Sequence, residues 1–381
     1  MRKIRTPRYA VSIIFAVNGA LFGTWASRIP AIANIHDLSP ALLGFLIFLA
    51  GASAVIAFSI FGKAADQYGA AYISKRASLI LIPLSIIFIA YAESFLTLSI
   101  AVIYFGGIHG GVDVTMNAWA AEIERKNDRP LMSSFHAMWS LGAGIGAGLG
   151  ALLAFSKIDI QQHFTIVSII IFLVTLSILS IPSKSEKIEK DKNASFILIP
   201  KGPLLAAALI TFFASLGEGA VADWSAIFLI SVLNINDGSA ALGYTAFSIC
   251  MFAMRLMGDH ISFKFGPSKT AQYSGLVALT GSIILLTFES IYPLLIGFSL
   301  IGLGIAVIIP LAFSRAGNDK TMSQGAAIAS IATLGYGGML IGPLFVGFIA
   351  EITSIKTSFL ILPILASLIF LLSKSLSIKS L

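Results

Sequence analysis

The chain has 381 residues, of which 57% are hydrophobic and only 11% charged, against about 45–50% and about 25% in soluble domains. That leaves too little polar surface to cover a water-soluble fold. The formal net charge of +7 comes from 25 Lys+Arg against 18 Asp+Glu, in short clusters between long uncharged runs, which argues against a nucleic-acid partner and for a polytopic membrane protein embedded in a lipid bilayer.

About 20 apolar helical residues cross the hydrocarbon core, so runs free of Asp, Glu, Lys and Arg mark the spans. The first six cover 9–27, 38–62, 77–92, 94–112, 130–156 and 160–183. Arg2, Lys3, Arg5 and Arg8 ahead of the first run, with Ala31-Ile32-Ala33 behind it, have the outline of a cleavable leader. The run is too long for one, Asn18 interrupts it and Arg28 sits just before the supposed cleavage site, so it is kept as the first helix. Asn18, Trp25 and Arg28 fall within an arc of about 80° on that helix. At 1.5 Å per residue Arg28 lies about 28 Å along, at the outer end.

Helix two runs into Gly62-Lys-Ala-Ala-Asp66-Gln-Tyr-Gly69, read as a short cytoplasmic turn. Helix four carries His109, Asp113 and Asn117 at i, i+4 and i+8, one polar stripe in an apolar span. Such a stripe belongs on a cavity or a polar neighbour. Helix five brings His136 and Trp139 to a similar depth, followed by a glycine row from Gly142 to Gly150. Trp119 lies too near the cytoplasmic end of its helix to be a strong stacking candidate.

The stretch 182–201 holds Lys184, Glu186, Lys187, Glu189, Lys190, Asp191 and Lys192 and reads as a solvated linker. Beyond it six further runs cover 202–217, 238–254, 270–288, 291–314, 321–350 and 357–373. Helix seven carries Glu218 just past its middle, then Asp223 and Trp224 near its outer end. Helix eight carries Arg255 one turn before Gly258, near the cytoplasmic end, as an inner-gate partner or equally as a snorkelling residue; Gly258-Asp259-His-Ile-Ser-Phe-Lys-Phe-Gly266 follows as a counterpart of the Gly62–Gly69 turn. Helix eleven has Gly335, Tyr336, Gly337, Gly338, Gly342 and Pro343, matching the glycine row of helix five. These matches recur at a shift of about 195 residues and argue for two repeated halves: 1–181 and 202–381, joined by 182–201. The expected fold is therefore all-α, twelve transmembrane helices in two pseudo-symmetric six-helix bundles. With the N-terminus inside, 21 of the 25 Lys and Arg fall on the cytoplasmic face, so both termini are expected there.

Twelve spans, the central loop and the Gly62, Asp66, Gly69, Lys75, Arg76 pattern resemble the major facilitator superfamily. Trp25-Ala-Ser-Arg28-Ile-Pro30, Asp113-Val-Thr-Met116-Asn117, His136-Ala-Met-Trp139-Ser140-Leu-Gly142 and Gly219-Ala-Val-Ala-Asp223-Trp224-Ser225 resemble its YbjJ-like branch, near the fucose-permease-type sugar transporters. The resemblance implies a monomer in the bacterial inner membrane and alternating access around a central site.

Arg28, Asp113, Glu218, Asp223 and Arg255 break apolar runs, at an insertion cost of about 2.5–3.5 kcal/mol each if central. Asp113, Glu218 and His136 are the candidate proton carriers, His136 serving equally as an interhelical clamp. Asn18, Trp25, His109, Asn117, Trp139, Trp224 and Tyr336 are the candidate solute contacts. Arg28, Asp223, Asp66 and Arg255 are the candidate gate residues, Arg28 being expected to pair with Asp223 or else to reach the outer surface. The function this supports is proton-coupled symport of a small polar solute, a sugar or its derivative, with a proton-driven efflux antiporter as the alternative. The chain has no His-Glu-x-x-His or Gly-x-Ser-x-Gly motif and no phosphate-cradling loop, so neither an enzyme, a cofactor, nor a metal is expected.

Overall fold

The computed structural model describes residues 6–38, 40–128, 130–183, 185, 200, 202–235, 237–319 and 321–377. They form twelve helical spans in chain order. The first six are α1 (Pro7–Ile35), α2 (Pro40–Tyr68), α3 (Ala70–Ala90), α4 (Phe95–Asn127), α5 (Met132–Phe155) and α6 (Ile160–Leu179). The second six are α7 (Pro203–Leu233), α8 (Asp237–Phe265), α9 (Pro267–Thr287), α10 (Ile291–Gly317), α11 (Gln324–Ile352) and α12 (Ile355–Leu376). Ten of the described helices are long and apolar enough to cross a membrane.

Several boundaries follow from local chemistry. Pro203 and Pro267 open α7 and α9 at the first turn, where the missing N–H is no loss. Ser94 accepts from Thr97 N–H and Thr97 returns the bond, boxing the start of α4. The two stretches expected as turns are helical instead: α2 continues to Tyr68 and α8 to Phe265. Only Gly69 (φ 94°) and Gly266 (φ 79°) make the turn, in a region that L side chains avoid. Arg255 consequently lies ten residues inside the end of α8 rather than near it.

The chain divides into two compact units. One comprises Met1–Asp128, Phe135–Leu198 and Lys320–Ala329; the other comprises Arg129–Ser134, Ile199–Asp319 and Ser330–Leu381. The short segments at the starts of α5 and α11 thus group with the opposite half of the sequence. Inside the first unit α2 packs on α4, α3 on α4 and α6, and α1 on α4 and α6. Inside the second the same scheme recurs six helices later: α8 on α10, α9 on α10 and α12, α7 on α10 and α12.

The glycine rows explain the tightest contacts. A methyl group added at Gly142 or Gly146 would collide with the backbone carbonyls of Ala16 and Ala20. Added at Gly338 or Gly342 it would meet those of Phe212 and Leu216. Each of these four glycine and carbonyl positions in the first unit recurs 196 residues later in the second. Gly144 and Gly148 face open space, so the row has one working edge. Close α1–α5 and α7–α11 approach is therefore built from small residues, as membrane helices require.

Candidate solute site and charged contacts

In the first unit α1 presents Phe15, Asn18, Phe22 and Trp25 at i, i+3, i+7 and i+10, a single face of the helix. Phe15 lies against Phe135 and His136 of α5, with centroids 5.7 and 5.3 Å away. Phe22 stacks on His109 of α4 and tilts against Trp139 of α5, both at 5.7 Å. Trp25 meets Phe105 at 5.4 Å, and Phe105 lies nearly parallel to His109. His109 of helix four and the aromatic residues of helices one and five thus form one aromatic cluster. Phe22 and Phe105 were missed. The signal was their spacing, since Phe105 precedes His109, and Asn18 precedes Phe22, by one helical turn.

Asn18 is completely buried within this stripe, and both of its side-chain polar atoms lack a hydrogen-bond partner among the described residues. His109 Nδ1 is buried and equally without a partner there. Below them a polar chain runs from α4 to α5. Asn117 Nδ2 donates to the Asp113 carbonyl at 2.9 Å and to Asp113 Oδ1 at 3.3 Å. These two acceptors fix the amide orientation. Asn117 Oδ1 therefore accepts from His136 Nε2 at 3.0 Å, so the proton of His136 sits on Nε2. Asp113, Asn117 and His136 are thus hydrogen-bonded in series and buried.

Arg28 is buried as well. Its Nε donates to His163 Nδ1 at 3.0 Å and its Nη2 to the Ile158 carbonyl at 2.9 Å. Both partners belong to the α5–α6 turn or the start of α6, so Arg28 does not reach out to the surface. It lies seven residues before the end of α1, which continues to Ile35. The side chains of Asp223 and Tyr336, to which a gate and a stacking role were assigned from sequence, lie outside the described residues.

In the second unit Arg255 Nη2 pairs with Glu218 Oε2 at 3.5 Å, and Arg255 Nε donates to the Ala306 carbonyl at 3.1 Å. Sequence reading placed these two charges at different depths and did not pair them. Trp224 packs its ring against Gly347, within 3.2 Å of where a methyl group there would sit, and its Nε1 is buried without a described partner.

Two carboxylates hold helix N-termini. Asp66 accepts from Ser323 Oγ at 2.8 Å and from Gly325 N–H at 3.1 Å, at the first turn of α11. Asp259 accepts from the Ser133 and Ser134 N–H groups, each at 2.8 Å, at the first turn of α5. A carboxylate there fills orphan donors and meets the positive end of the helix dipole. Asp259 was quoted from sequence only as part of a repeat, yet it makes the contact that answers that of Asp66.

The description of the Major Facilitator Superfamily matches residues 11–336. The uncharacterized transporter y4wD of Sinorhizobium fredii is 37% identical over 98% of this chain and 99% of its own length. Membrane protein MosC of Rhizobium meliloti is 29% identical over 90% of this chain and 83% of its own. Among solved structures, the human organic anion transporter MFSD10 superposes with a TM-score of 0.78 at 15% identity, covering 99% of this chain and all of that one. The Escherichia coli fucose:proton symporter FucP superposes with a TM-score of 0.77 at 16% identity, covering 98% and 99%. Family match, whole-length relatives and repeated six-helix scheme agree: the chain belongs to the Major Facilitator Superfamily, a family of transporters rather than enzymes, as a multi-pass membrane protein.

Proposed function

We propose that this secondary transporter moves a small polar solute with an apolar ring face, a sugar or sugar derivative, in symport with protons. The observation that carries the reading is the α1–α4–α5 stripe of the first unit. There Asn18 and His109 keep buried polar atoms without a partner among the described residues, beside aromatic rings. An unmet buried donor or acceptor costs about 1–3 kcal/mol, a cost that a ligand hydroxyl repays on binding. Phe22, Trp25, Phe105 and Trp139 offer faces to the apolar side of a ring. Trp224 and Tyr336 are assigned to the same task from the second half of the chain.

Asp113 is the proposed proton carrier of this stripe. Its hydrogen bond from Asn117, itself fixed by His136, strengthens when Asp113 is ionised and weakens when it takes a proton. Solute contact at His109, one turn away, and proton occupancy at Asp113 thereby share one helix face. Glu218 is the second proposed carrier, through its pair with Arg255. Asp66, Asp259, Arg28 and Asp223 are assigned to gating, with the helix-capping contacts of Asp66 and Asp259 on the cytoplasmic side. The chain is placed in the inner membrane with both termini in the cytoplasm.

The test is counterflow and uptake in proteoliposomes across a panel of neutral sugars and polyols. An inward proton gradient is expected to drive accumulation of the transported solute, and a protonophore to abolish it. Asp113→Asn is expected to retain solute exchange at equal concentrations while losing gradient-driven accumulation. Accumulation that ignores the imposed gradient would overturn the symport reading.

A further inference from the structure

Lys75, in the second turn of α3, is 7% exposed. Its ammonium donates to the Ile181 carbonyl at 2.8 Å, to Ser183 Oγ at 3.2 Å and to the Leu179 carbonyl at 3.5 Å. Three N–H donors thus meet three acceptors, two of them carbonyls at the end of α6, where a helix is negative. The ring of Trp119 in α4 lies 5.9 Å from the same Nζ, within reach of a cation–π contact. Ser185, two residues beyond Ser183, accepts from the Ala71 N–H of α3 at 2.9 Å. Its Cβ fills the space beside Gly69, 2.9 Å from where a methyl group there would sit. The corresponding turn of the second unit is bare: among the described residues, nothing lies within 4 Å of a methyl group added at Gly266.

We propose that residues 181–185 form a strap across the start of α3, with Lys75 as the clasp that holds it. One neutral hydrogen bond gains less than it costs to order the residues that make it, so the Ser185–Ala71 bond cannot hold the segment alone. The charge-assisted bonds of Lys75 at 179–183 supply the rest. Ser185 in turn fills an orphan donor of α3, whose preceding residue, Gly69, has no side chain to do so. The order of dependence is therefore fixed: Lys75 holds 181–183, Ser183 places Ser185, and Ser185 holds Ala71. As a result the polar stretch beyond 185 leaves the first unit from the α2–α3 turn, three residues after Asp66, and not from the end of α6. A pull along that stretch acts on the turn next to Asp66. The strap exists with or without solute and is independent of the proposed symport.

Hydrogen exchange of the full chain in lipid nanodiscs, read by mass spectrometry without solute, tests it separately from transport. Lys75→Met keeps the stem of the side chain and removes its charge. It is expected to raise exchange by about tenfold, the scale of one charge-assisted hydrogen bond, in 178–183 and 69–74 alike, with 266–271 unchanged. Ser185→Ala removes only the last bond of the series, so 69–74 is expected to loosen while 178–183 stays protected. Arg76→Met, at the exposed neighbouring base that lies over Tyr72, is expected to change neither segment. Loosening of 178–183 in Lys75→Met with 69–74 still protected would overturn the proposal, as would equal loosening of 266–271, which marks general loss of structure. Unchanged exchange of 69–74 in Ser185→Ala would overturn it as well.

Discussion

Asn18 occupies the kind of position that folding alone disfavours. It is wholly buried on α1, between the level where Phe15 meets His136 and the level where Phe22 meets His109. A leucine has the same number of side-chain heavy atoms, branched at the same carbon, and no polar atoms to leave unpaired. Asn18→Leu is therefore expected to leave the thermal midpoint of the detergent-solubilised protein unchanged or higher, by the equivalent of about 1–3 kcal/mol. The same variant should lose the solute-dependent rise in midpoint that ligand binding gives by mass action. Lower stability with the ligand response intact would show that Asn18 serves packing instead. Sequence made such residues visible because polar side chains are rare in apolar runs. It did not reveal their partners. Arg28 bonds His163 and Ile158, 130 or more residues away. The pairing of Arg255 with Glu218 was hidden because α8 extends ten residues beyond Arg255.

Among the elements, α5 shows how much a row of glycines encodes. Alternate glycines look equivalent in sequence, but only one edge approaches α1. Gly142 and Gly146 sit against the carbonyls of Ala16 and Ala20, whereas Gly144 and Gly148 have nothing within 4 Å. Gly142→Ala must push two backbones apart, and overpacking of this kind costs about 1–3 kcal/mol. Gly144→Ala fills empty space and removes backbone entropy from the unfolded chain, a gain of about 0.4–1 kcal/mol. The thermal midpoint should accordingly fall for the first variant and hold or rise for the second. Equal effects would mean that the row acts through helix propensity and not through contact. The packing role of the row was legible from small residues at four-residue spacing; which edge carries it required α1 to be in place.

For the whole molecule, the repeat and the chemistry are encoded differently. Backbone features repeat faithfully: Gly69 and Gly266 both turn at positive φ, and the glycine–carbonyl contacts of α1–α5 return in α7–α11. Among the described residues, the buried polar clusters inside the spans differ between the two units. His109, Asp113, Asn117 and His136 cluster in the first unit, and the second has the Glu218–Arg255–Ala306 arrangement instead. A duplicated scaffold with divergent polar residues leaves fold readable from pattern while the site needs three-dimensional neighbours. Orientation in the membrane depends on a third signal, the basic residues. Of 25 Lys and Arg, 21 fall on the side that holds the N-terminus, with Arg28, Lys157 and Lys356 toward the other side and Arg255 inside α8. A base next to a span resists translocation, so such a bias acts on every span and not on the first alone. A fluorescent protein fused after Leu381 should therefore fluoresce, as it does only in the cytoplasm. Alkaline phosphatase inserted at Lys157, in the turn between α5 and α6, should be active, as it is only outside. The reverse pattern would invert the topology. It would also place the Asp66 and Asp259 helix caps on the outer face.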